Sequence, residues 1–474
     1  MGIDNDFKKI SGLIGKYESQ AELILTGTVE AINEAKKQLT VVNTSLKAES
    51  IQLRKTHPKN AEHLENIRNR LAEIEPKIIV TMYAELDDGS LSVPPGYFFL
   101  CERMLNKTHI NTIEPMLSYS GEKWPARPYQ LEAVRHLMKY TRSTFLGATG
   151  CGKSKVIAML VNSYVAANAR VFIVTPSVYL MRQLFGSTLS SLKEAFPDRK
   201  LIVSMNGDGE KIRDGADVVV STTQSALGFI DRFDVVLIDE LHTFGAETYM
   251  QVALAAIGAK CVHGMTGSLQ RQDGMQNTIP AWTGDVVYKY LYLDGVRDGY
   301  LNPIQYMQIP VETKVTERTG VHPMITYKKQ YMSKPMVEKI LSLILKSTAA
   351  GRKVMVLGRS LDSLKAVADK INAPVADADY KYPVKLFLDG EIDVLFATSK
   401  LVGTGTDVPA CSVVIYLDNG TSNITLIQSA GRTTRLAEGK KISLVLDLFP
   451  TSERSLDMAE KRMDVALDQG WTIA

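Results

Sequence analysis

The sequence predicts an α/β protein, in which two tandem parallel-sheet domains follow a small α+β domain. From about residue 121 onward, short continuous runs of Val, Ile and Leu alternate with helix-length segments. Strands buried on both faces read this way, so the pattern implies parallel sheets covered by helices. The alternation breaks once, between about 295 and 330, and then resumes, which divides it into two domains.

The first 120 residues are patterned differently. Asn60 to Ile74 carries Leu64, Ile67, Leu71 and Ile74 at helical spacing, and Lys77 to Leu86 reads as a strand running into the turn Asp87-Asp88-Gly89. The polar run Ser118-Tyr119-Ser120-Gly121 and the punctuation Trp124-Pro125-Ala126-Arg127-Pro128 end this region. Strands of the first parallel sheet are expected at Thr144–Leu146, Val171–Val174, Val218–Val220, Val235–Ile238 and Cys261–Met265. Those of the second are expected at Val354–Leu357, Val394–Phe396, Val413–Tyr416 and Ile442–Leu448. The expected domains are residues 1–120, an accessory module for substrate recognition, 121–300, the nucleotide-binding domain, and 301–474, its C-terminal partner.

With 474 residues, 45% apolar and 23% charged, the chain can bury about three cores. Its 55 Lys+Arg against 52 Asp+Glu exclude a polybasic protein, so any polyanion must be held by a local patch. No apolar run reaches the length of a membrane span, and the start MGIDNDFKKI has no apolar leader core, so a cytoplasmic protein with no membrane partner is expected. Cys101, Cys151, Cys261 and Cys411 are too far apart for a local zinc or iron–sulfur motif and read as reduced thiols.

Gly147-Ala148-Thr149-Gly150-Cys151-Gly152-Lys153-Ser154 fits GxxxxGK[ST] between an apolar strand and the helical run Val156 to Val165. Glycines let backbone N–H groups turn toward phosphate oxygens, and the helix N-terminus adds a positive dipole end. Lys153 would reach the β and γ phosphates of ATP, and the Ser154 hydroxyl would ligate Mg2+. Downstream, Asp239-Glu240-Leu-His242 places two carboxylates after a buried strand. Asp239 would hold the metal, Glu240 would polarise the attacking water, and His242 would couple the phosphate site to the neighbouring domain.

At these residues the chain resembles a superfamily 2 helicase, and further motifs follow in that family's order. Arg127-Pro-Tyr-Gln130 resembles the adenine-reading segment. Val174-Thr175-Pro176 and Ser221-Thr222-Thr223-Gln224 resemble segments that grip the nucleic-acid backbone, and Thr266-Gly-Ser268 the motif linking hydrolysis to strand movement. Gly403-Thr-Gly405-Thr-Asp407-Val-Pro409 resembles the motif touching nucleotide and nucleic acid. Gln428-Ser-Ala-Gly431-Arg432-Thr-Thr-Arg435 resembles QxxGRxxR, whose catalytic arginines are expected on one helix face, aimed at the γ-phosphate. The resemblance places Arg359, Thr398 and Lys400 among further backbone contacts, which carry little sequence information.

The Asp-Glu-Leu-His box departs from the DEAD-box pattern, and the cysteine spacing departs from the iron–sulfur helicases. The Arg-Pro-Tyr-Gln start, the Met265-Thr-Gly-Ser-Leu269 run and Gly299-Tyr-Leu-Asn-Pro303 instead resemble the UvsW-type recombination helicases of tailed phages, relatives of XPB. That resemblance implies two RecA-like domains, 3′ to 5′ polarity, a monomeric or weakly self-associating protein in the host cytoplasm, and action on forked DNA, Holliday junctions or R-loops, RNA–DNA hybrids included. A duplex DNA translocase that leaves strands paired and a nucleotide-switched DNA-binding protein are the alternatives. Among Trp282, Tyr288, Tyr290 and Tyr292 a strand-separating wedge is conceivable, but the alternate tyrosines read better as one buried strand face.

Overall fold

The computed structural model describes residues 13–19, 22–42, 44–55, 61–75, 79–81, 83–93, 125–243, 251–252, 255–256, 258–269, 283–315, 323–377, 379–399, 401, 411–417, 423–437 and 439–474. Two compact units emerge, one of residues 1–147 and 152–289, the other of residues 148–151 and 290–474.

In the N-terminal part of the first unit, β1 (Leu13–Ser19), β2 (Glu22–Gly27), β5 (Ala84–Glu85) and β6 (Leu91–Val93) form an antiparallel sheet in the order β1-β2-β6-β5. A second antiparallel pair joins β3 (Thr40–Val42) to β4 (Ile79–Thr81). Helices α1 (Val29–Gln38), α2 (Thr44–Lys55) and α3 (Ala61–Ile74) complete it, the last where the apolar spacing places it. The expected single strand over Lys77–Leu86 is instead two short strands in different sheets. The Asp87-Asp88-Gly89 turn then returns the chain from β5 to β6. Gly89 takes a left-handed φ of 80°, and Asp88 accepts the Ser90 amide at 2.9 Å.

Next come helix α4 (Pro128–Met138) and a seven-stranded sheet ordered β13-β7-β12-β11-β8-β10-β9. Its strands are β7 (Arg142–Gly147), β8 (Val171–Thr175), β9 (Val203–Asn206), β10 (Val218–Thr222), β11 (Val235–Ile238), β12 (Cys261–Thr266) and β13 (Val286–Tyr290). Every pairing from β7 across to β9 is parallel. Strands β8, β10, β11 and β12 are buried along their whole length, as continuous Val and Ile runs require. Helices α5 (Lys153–Ala166) and α6 (Val178–Ala195) make the crossovers from β7 to β8 and from β8 to β9.

The second unit holds another seven-stranded, wholly parallel sheet, ordered β16-β17-β15-β18-β19-β14-β20. Its strands are β14 (Ile304–Val311), β15 (Lys353–Gly358), β16 (Val375–Ala376), β17 (Val394–Thr398), β18 (Cys411–Leu417), β19 (Ser443–Pro450) and β20 (Thr472–Ile473). Helices α7 (Lys334–Ala349), α8 (Leu361–Ala368), α9 (Asn423–Arg432) and α10 (Glu453–Asp468) accompany it.

One strand appears where the sequence suggested a break. Strand β14 lies inside 295–330 and pairs with β19 over its full length. Its Gln305, Gln308 and Pro310 mask the pattern, but Gln308 spends its amide inside the fold, donating to the Ala459 carbonyl at 2.6 Å. Beside it, Arg462 meets Asp447 at 2.8 Å with both side chains almost fully buried, and Tyr306 donates its hydroxyl to the same carboxylate at 2.5 Å.

Candidate nucleotide and nucleic-acid site

In the first sheet, the residues singled out by sequence collect at the carboxyl ends of parallel strands. The phosphate loop leaves β7 at Gly147, Asp239 follows β11, and Thr175, Thr222 and Thr266 are the last residues of β8, β10 and β12. Parallel register aligns them: Thr222 pairs with Thr175, Ile238 with Val174, and Thr266 with Leu146. Ligands of open α/β sheets bind at this edge.

The loop is shaped by its glycines. Gly150 and Gly152 have φ of 87° and 84°, a region in which side chains are strained, and Gly152 caps α5. A Cβ on Gly152 would come within 2.6 Å of Gln130 Nε2. The backbone therefore approaches Gln130 of the Arg127–Gln130 segment more closely than any other residue allows. Gln130 is buried and both ends of its amide face protein: Oε1 accepts the Arg127 N–H at 3.0 Å, and Nε2 donates to the Gly152 carbonyl at 3.4 Å. One side chain thus ties the start of α4 to the phosphate loop. Cys151 is fully buried within the loop.

Lys153 and Ser154 open α5, where N–H groups without helical partners point outward. The Lys153 ammonium donates to the Gly147 carbonyl at 3.4 Å and lies 3.7 Å from Glu240 Oε1. Asp239 is buried, its own N–H donating to Val174 at 2.9 Å. Burial, reinforced by the neighbouring Glu240 charge, pushes its carboxyl well above the usual range. One of its carboxylate oxygens is buried without a hydrogen-bond partner. A buried carboxylate with a spare oxygen suits a divalent cation, and Ser154 supplies a hydroxyl of the matching hard-ligand type. Among the described residues, no group of three or more His, Cys, Asp and Glu could hold a metal, so any magnesium here needs phosphate and water as co-ligands.

Glu240 has a left-handed backbone, with φ of 51°, although it is neither Gly nor Asn. Such strain persists where surrounding contacts over-determine it. Its carboxylate lies 3.4 Å from His242 Nδ1, and that nitrogen lies 2.9 Å from Thr266 Oγ1. Thr266 Oγ1 donates onward to the Ser268 carbonyl at 2.6 Å. The residues named for coupling, His242, Thr266 and Ser268, therefore form one continuous chain leading away from Glu240.

The expected backbone-gripping residues gather at the ends of β8 and β10. Thr175 and Thr223 are buried and use their hydroxyls internally, on the Ser177 carbonyl at 3.1 Å and the Thr175 carbonyl at 3.1 Å. Thr222 donates to Ser225 at 3.1 Å, Pro176 is half-buried, and Gln224 is exposed. Beside them lies Asn206-Gly207-Asp208-Gly209, which the motifs do not include and whose only signal in the sequence is its turn signature. Three successive left-handed residues fold it against Thr222 and Ser225, so closely that a Cβ on Gly207 would meet Thr222 Oγ1 at 2.9 Å. Asp208 also pairs with Arg182 of α6 at 2.5 Å.

In the second unit, Gly358 pairs with Thr398 at the ends of β15 and β17, and Arg359 is exposed just beyond. Gly405, Asp407, Lys400 and Trp282 lie outside the described residues. Gln428 sits half-buried on α9, and Arg432 is its buried last residue. Here one expectation is corrected: Arg432 and Arg435 do not share a helix face, because α9 ends at Arg432. Thr433 and Thr434 turn their hydroxyls back onto the Ala430 and Gly431 carbonyls, each at 2.7 Å. Two such hydroxyls compete with further helical turns, and Arg435 is left on an irregular segment. The expectation that three alternate tyrosines share one buried strand face is also corrected: Tyr288 and Tyr290 lie in β13, with Tyr288 only half-buried, and Tyr292 opens a short helix, Tyr292–Arg297. Tyr288 packs 5.2 Å from the His136 ring, Tyr290 donates to Asp298 at 3.0 Å, and the Tyr292 hydroxyl accepts the Ile304 N–H at 2.6 Å.

Two family models match this chain. Residues 123–271 match the type III restriction enzyme res subunit, and 336–437 match the helicase conserved C-terminal domain. A DNA 3′-5′ helicase XPB from Kineococcus radiotolerans is 24% identical over 75% of this chain and 65% of its own. A putative helicase 22 from a Sulfolobus islandicus filamentous virus is 24% identical over 50% of this chain and 46% of its own, so the chain spans less than two-thirds of either relative. Among solved structures, the ATP-dependent Type ISP restriction-modification enzyme LlaBIII bound to DNA matches 72% of this chain and 29% of its own, at 14% identity and a TM-score of 0.53. T4 UvsW aligns over 98% of both chains at 16% identity with a TM-score of 0.40. In order along the chain, then, one segment matches the type III restriction enzyme res subunit and a later one the helicase conserved C-terminal domain, and with the helicase relatives these matches make the chain similar to helicases of superfamily 2.

Proposed function

We propose that this protein is an ATP-dependent helicase that unwinds or branch-migrates forked DNA, Holliday junctions or R-loops, with 3′ to 5′ polarity. The observation that carries the motor reading is the chain of contacts from Lys153 through Glu240 and His242 to Thr266 and Ser268. It runs from the phosphate loop to the end of β12 within one unit, so a change at the nucleotide has a physical route out of the site.

Bound magnesium would supply charge neutralisation at the phosphates, with Ser154 and Asp239 as its protein ligands. Backbone N–H groups of the loop would hold the phosphate oxygens and Lys153 the terminal ones. Glu240 would orient the attacking water and accept its proton, which the 3.7 Å separation from Lys153 permits without a tight ion pair. Arg432 and Arg435 would stabilise the charge that develops in the transition state. Gln224, with the turn at Gly207–Gly209 beside Thr222, would contribute to the grip on a DNA backbone, as would Arg359 and Thr398 of the second unit. Side chains of this kind read phosphates rather than bases, so binding is independent of sequence.

The match of residues 123–271 to the type III restriction enzyme res subunit favours one rival, a duplex translocase that leaves strands paired. A panel of forks, four-way junctions, R-loops, tailed duplexes and triplexes, each with ATP or a non-hydrolysable analogue, separates the two. Strand separation or junction migration that requires hydrolysis is the expected result. Triplex displacement with no product from any fork or junction would replace it with the translocase.

A further inference from the structure

Arg435 lies outside any helix, so something other than helical hydrogen bonding must fix where it points. The three consecutive carbonyls at 433–435 are each taken by a specific donor. Ser443 Oγ donates to the Thr433 carbonyl. The Asn302 backbone N–H donates to the Thr434 carbonyl at 2.6 Å, and Asn302 Nδ2 donates to the Arg435 carbonyl at 3.0 Å. Lys440 Nζ reaches that same carbonyl, also at 3.0 Å.

Asn302 is buried, and its backbone and side-chain N–H groups grip two adjacent peptide units as a two-point clamp. A two-point grip fixes orientation as well as position, which a single bond does not. The clamp is mounted on the sheet: Asn302 stands just before β14, Ser443 opens β19, Ile304 pairs with Ser443, and the Ser443 N–H donates to the Pro303 carbonyl at 2.9 Å. Arg435 is thus anchored to the starts of two paired strands. The Gly299–Pro303 run, noted in the sequence only for its resemblance, acquires a physical task.

We infer that Asn302 is a positioning residue for Arg435, with Lys440 as a second support on the same carbonyl. This rests on the reading that Arg435 stabilises the hydrolytic transition state. An arginine needed chiefly in the transition state affects kcat, so loosening its mount should lower kcat and spare ground-state binding.

The test uses the full chain and DNA-stimulated ATP hydrolysis, with Asn302→Ala, Lys440→Met, Arg435→Ala and each support variant combined with Arg435→Ala. Expected is a loss in kcat of about tenfold for Asn302→Ala and severalfold for Lys440→Met, with KM for ATP within about twofold, and a larger loss for Arg435→Ala. In the Arg435→Ala background neither support variant should lower kcat further, since nothing remains to aim. If Arg435→Ala lowers kcat but Asn302→Ala and Lys440→Met do not, the positioning role is overturned while the arginine reading stands. Equal losses in both backgrounds also overturn it, because that is the signature of a merely structural residue. Unchanged kcat in Arg435→Ala removes the arginine reading and the inference with it. Should Asn302→Ala fail to fold, Lys440→Met, whose side chain is only half-buried, decides the same question.

Discussion

His242 Nδ1 lies 2.9 Å from Thr266 Oγ1, and the direction of that hydrogen bond is fixed by what surrounds it. Thr266 has one hydroxyl proton and gives it to the Ser268 carbonyl at 2.6 Å, so its oxygen must accept from His242. His242 therefore carries its proton on Nδ1, the nitrogen that also lies 3.4 Å from Glu240.

Thr266→Val keeps the shape of the side chain and removes both ends of this relay. It and His242→Ala should each reduce the DNA-stimulated component of ATP hydrolysis by about tenfold. In a double-mutant cycle their effects should be non-additive, by about 1 kcal/mol. Strictly additive losses would show that the two residues act separately.

Gln130 offers a test of nucleotide recognition. Gln130→Glu retains the acceptor for the Arg127 N–H but sets a carboxylate oxygen against the Gly152 carbonyl, where an N–H donor now sits at 3.4 Å. Losing a buried donor costs about 1–3 kcal/mol, which predicts a rise in KM for ATP of about tenfold or more. An unchanged KM would mean that the tie to the loop is dispensable.

His263 predicts how stability depends on pH. It is fully buried between Ser143 Oγ at 2.7 Å and Tyr164 OH at 2.5 Å. Ser143 gives its proton to the Leu137 carbonyl, so His263 donates from Nδ1 and accepts from Tyr164 at Nε2. Burial, with Arg142 nearby, pushes its pKa down to about 3. The unfolded chain takes up this proton near pH 6.5 and the folded one does not. The contribution to stability is therefore complete above about pH 6.5 and is lost as pH falls toward 3. Between pH 6 and 4, thermal or urea unfolding should lose up to about 1.4 kcal/mol per pH unit from this residue, and His263→Gln should lack that component. Identical pH slopes in the two proteins would contradict the assignment.

The buried pair Asp447–Arg462 predicts the stability of the second unit. Arg462→Leu leaves a buried carboxylate with no cation, and unfolding should show a loss of about 3–5 kcal/mol. Asp447→Leu combined with Arg462→Leu should recover much of it, although Tyr306 loses its acceptor. A double variant no more stable than Arg462→Leu alone would show that the charge is not the cause.

What could be read from the sequence followed from burial. Strands such as Val218–Thr222 and Val235–Ile238 are apolar on both faces because both faces are covered, and they stand where the Val and Ile runs place them. The phosphate loop was legible because glycine spacing and flanking elements answer to one geometric demand. Strand β14 was not, since Gln308 and Pro310 are satisfied by partners far along the chain, Ala459 among them. Arg435 misled for a related reason. The spacing of Arg432 and Arg435 fits a helix, but the outcome is set by two threonine hydroxyls and by Asn302, 133 residues away. Pairings of such separation leave no periodic signal.

Glu240→Gln tests most directly the proposed role of Glu240 in hydrolysis that drives work on DNA. The substitution preserves size and removes the base. ATP binding, read by a fluorescent analogue, should stay within severalfold, while DNA-stimulated turnover and junction migration fall together by about a hundredfold or more. Turnover within twofold of the unaltered protein would contradict the account.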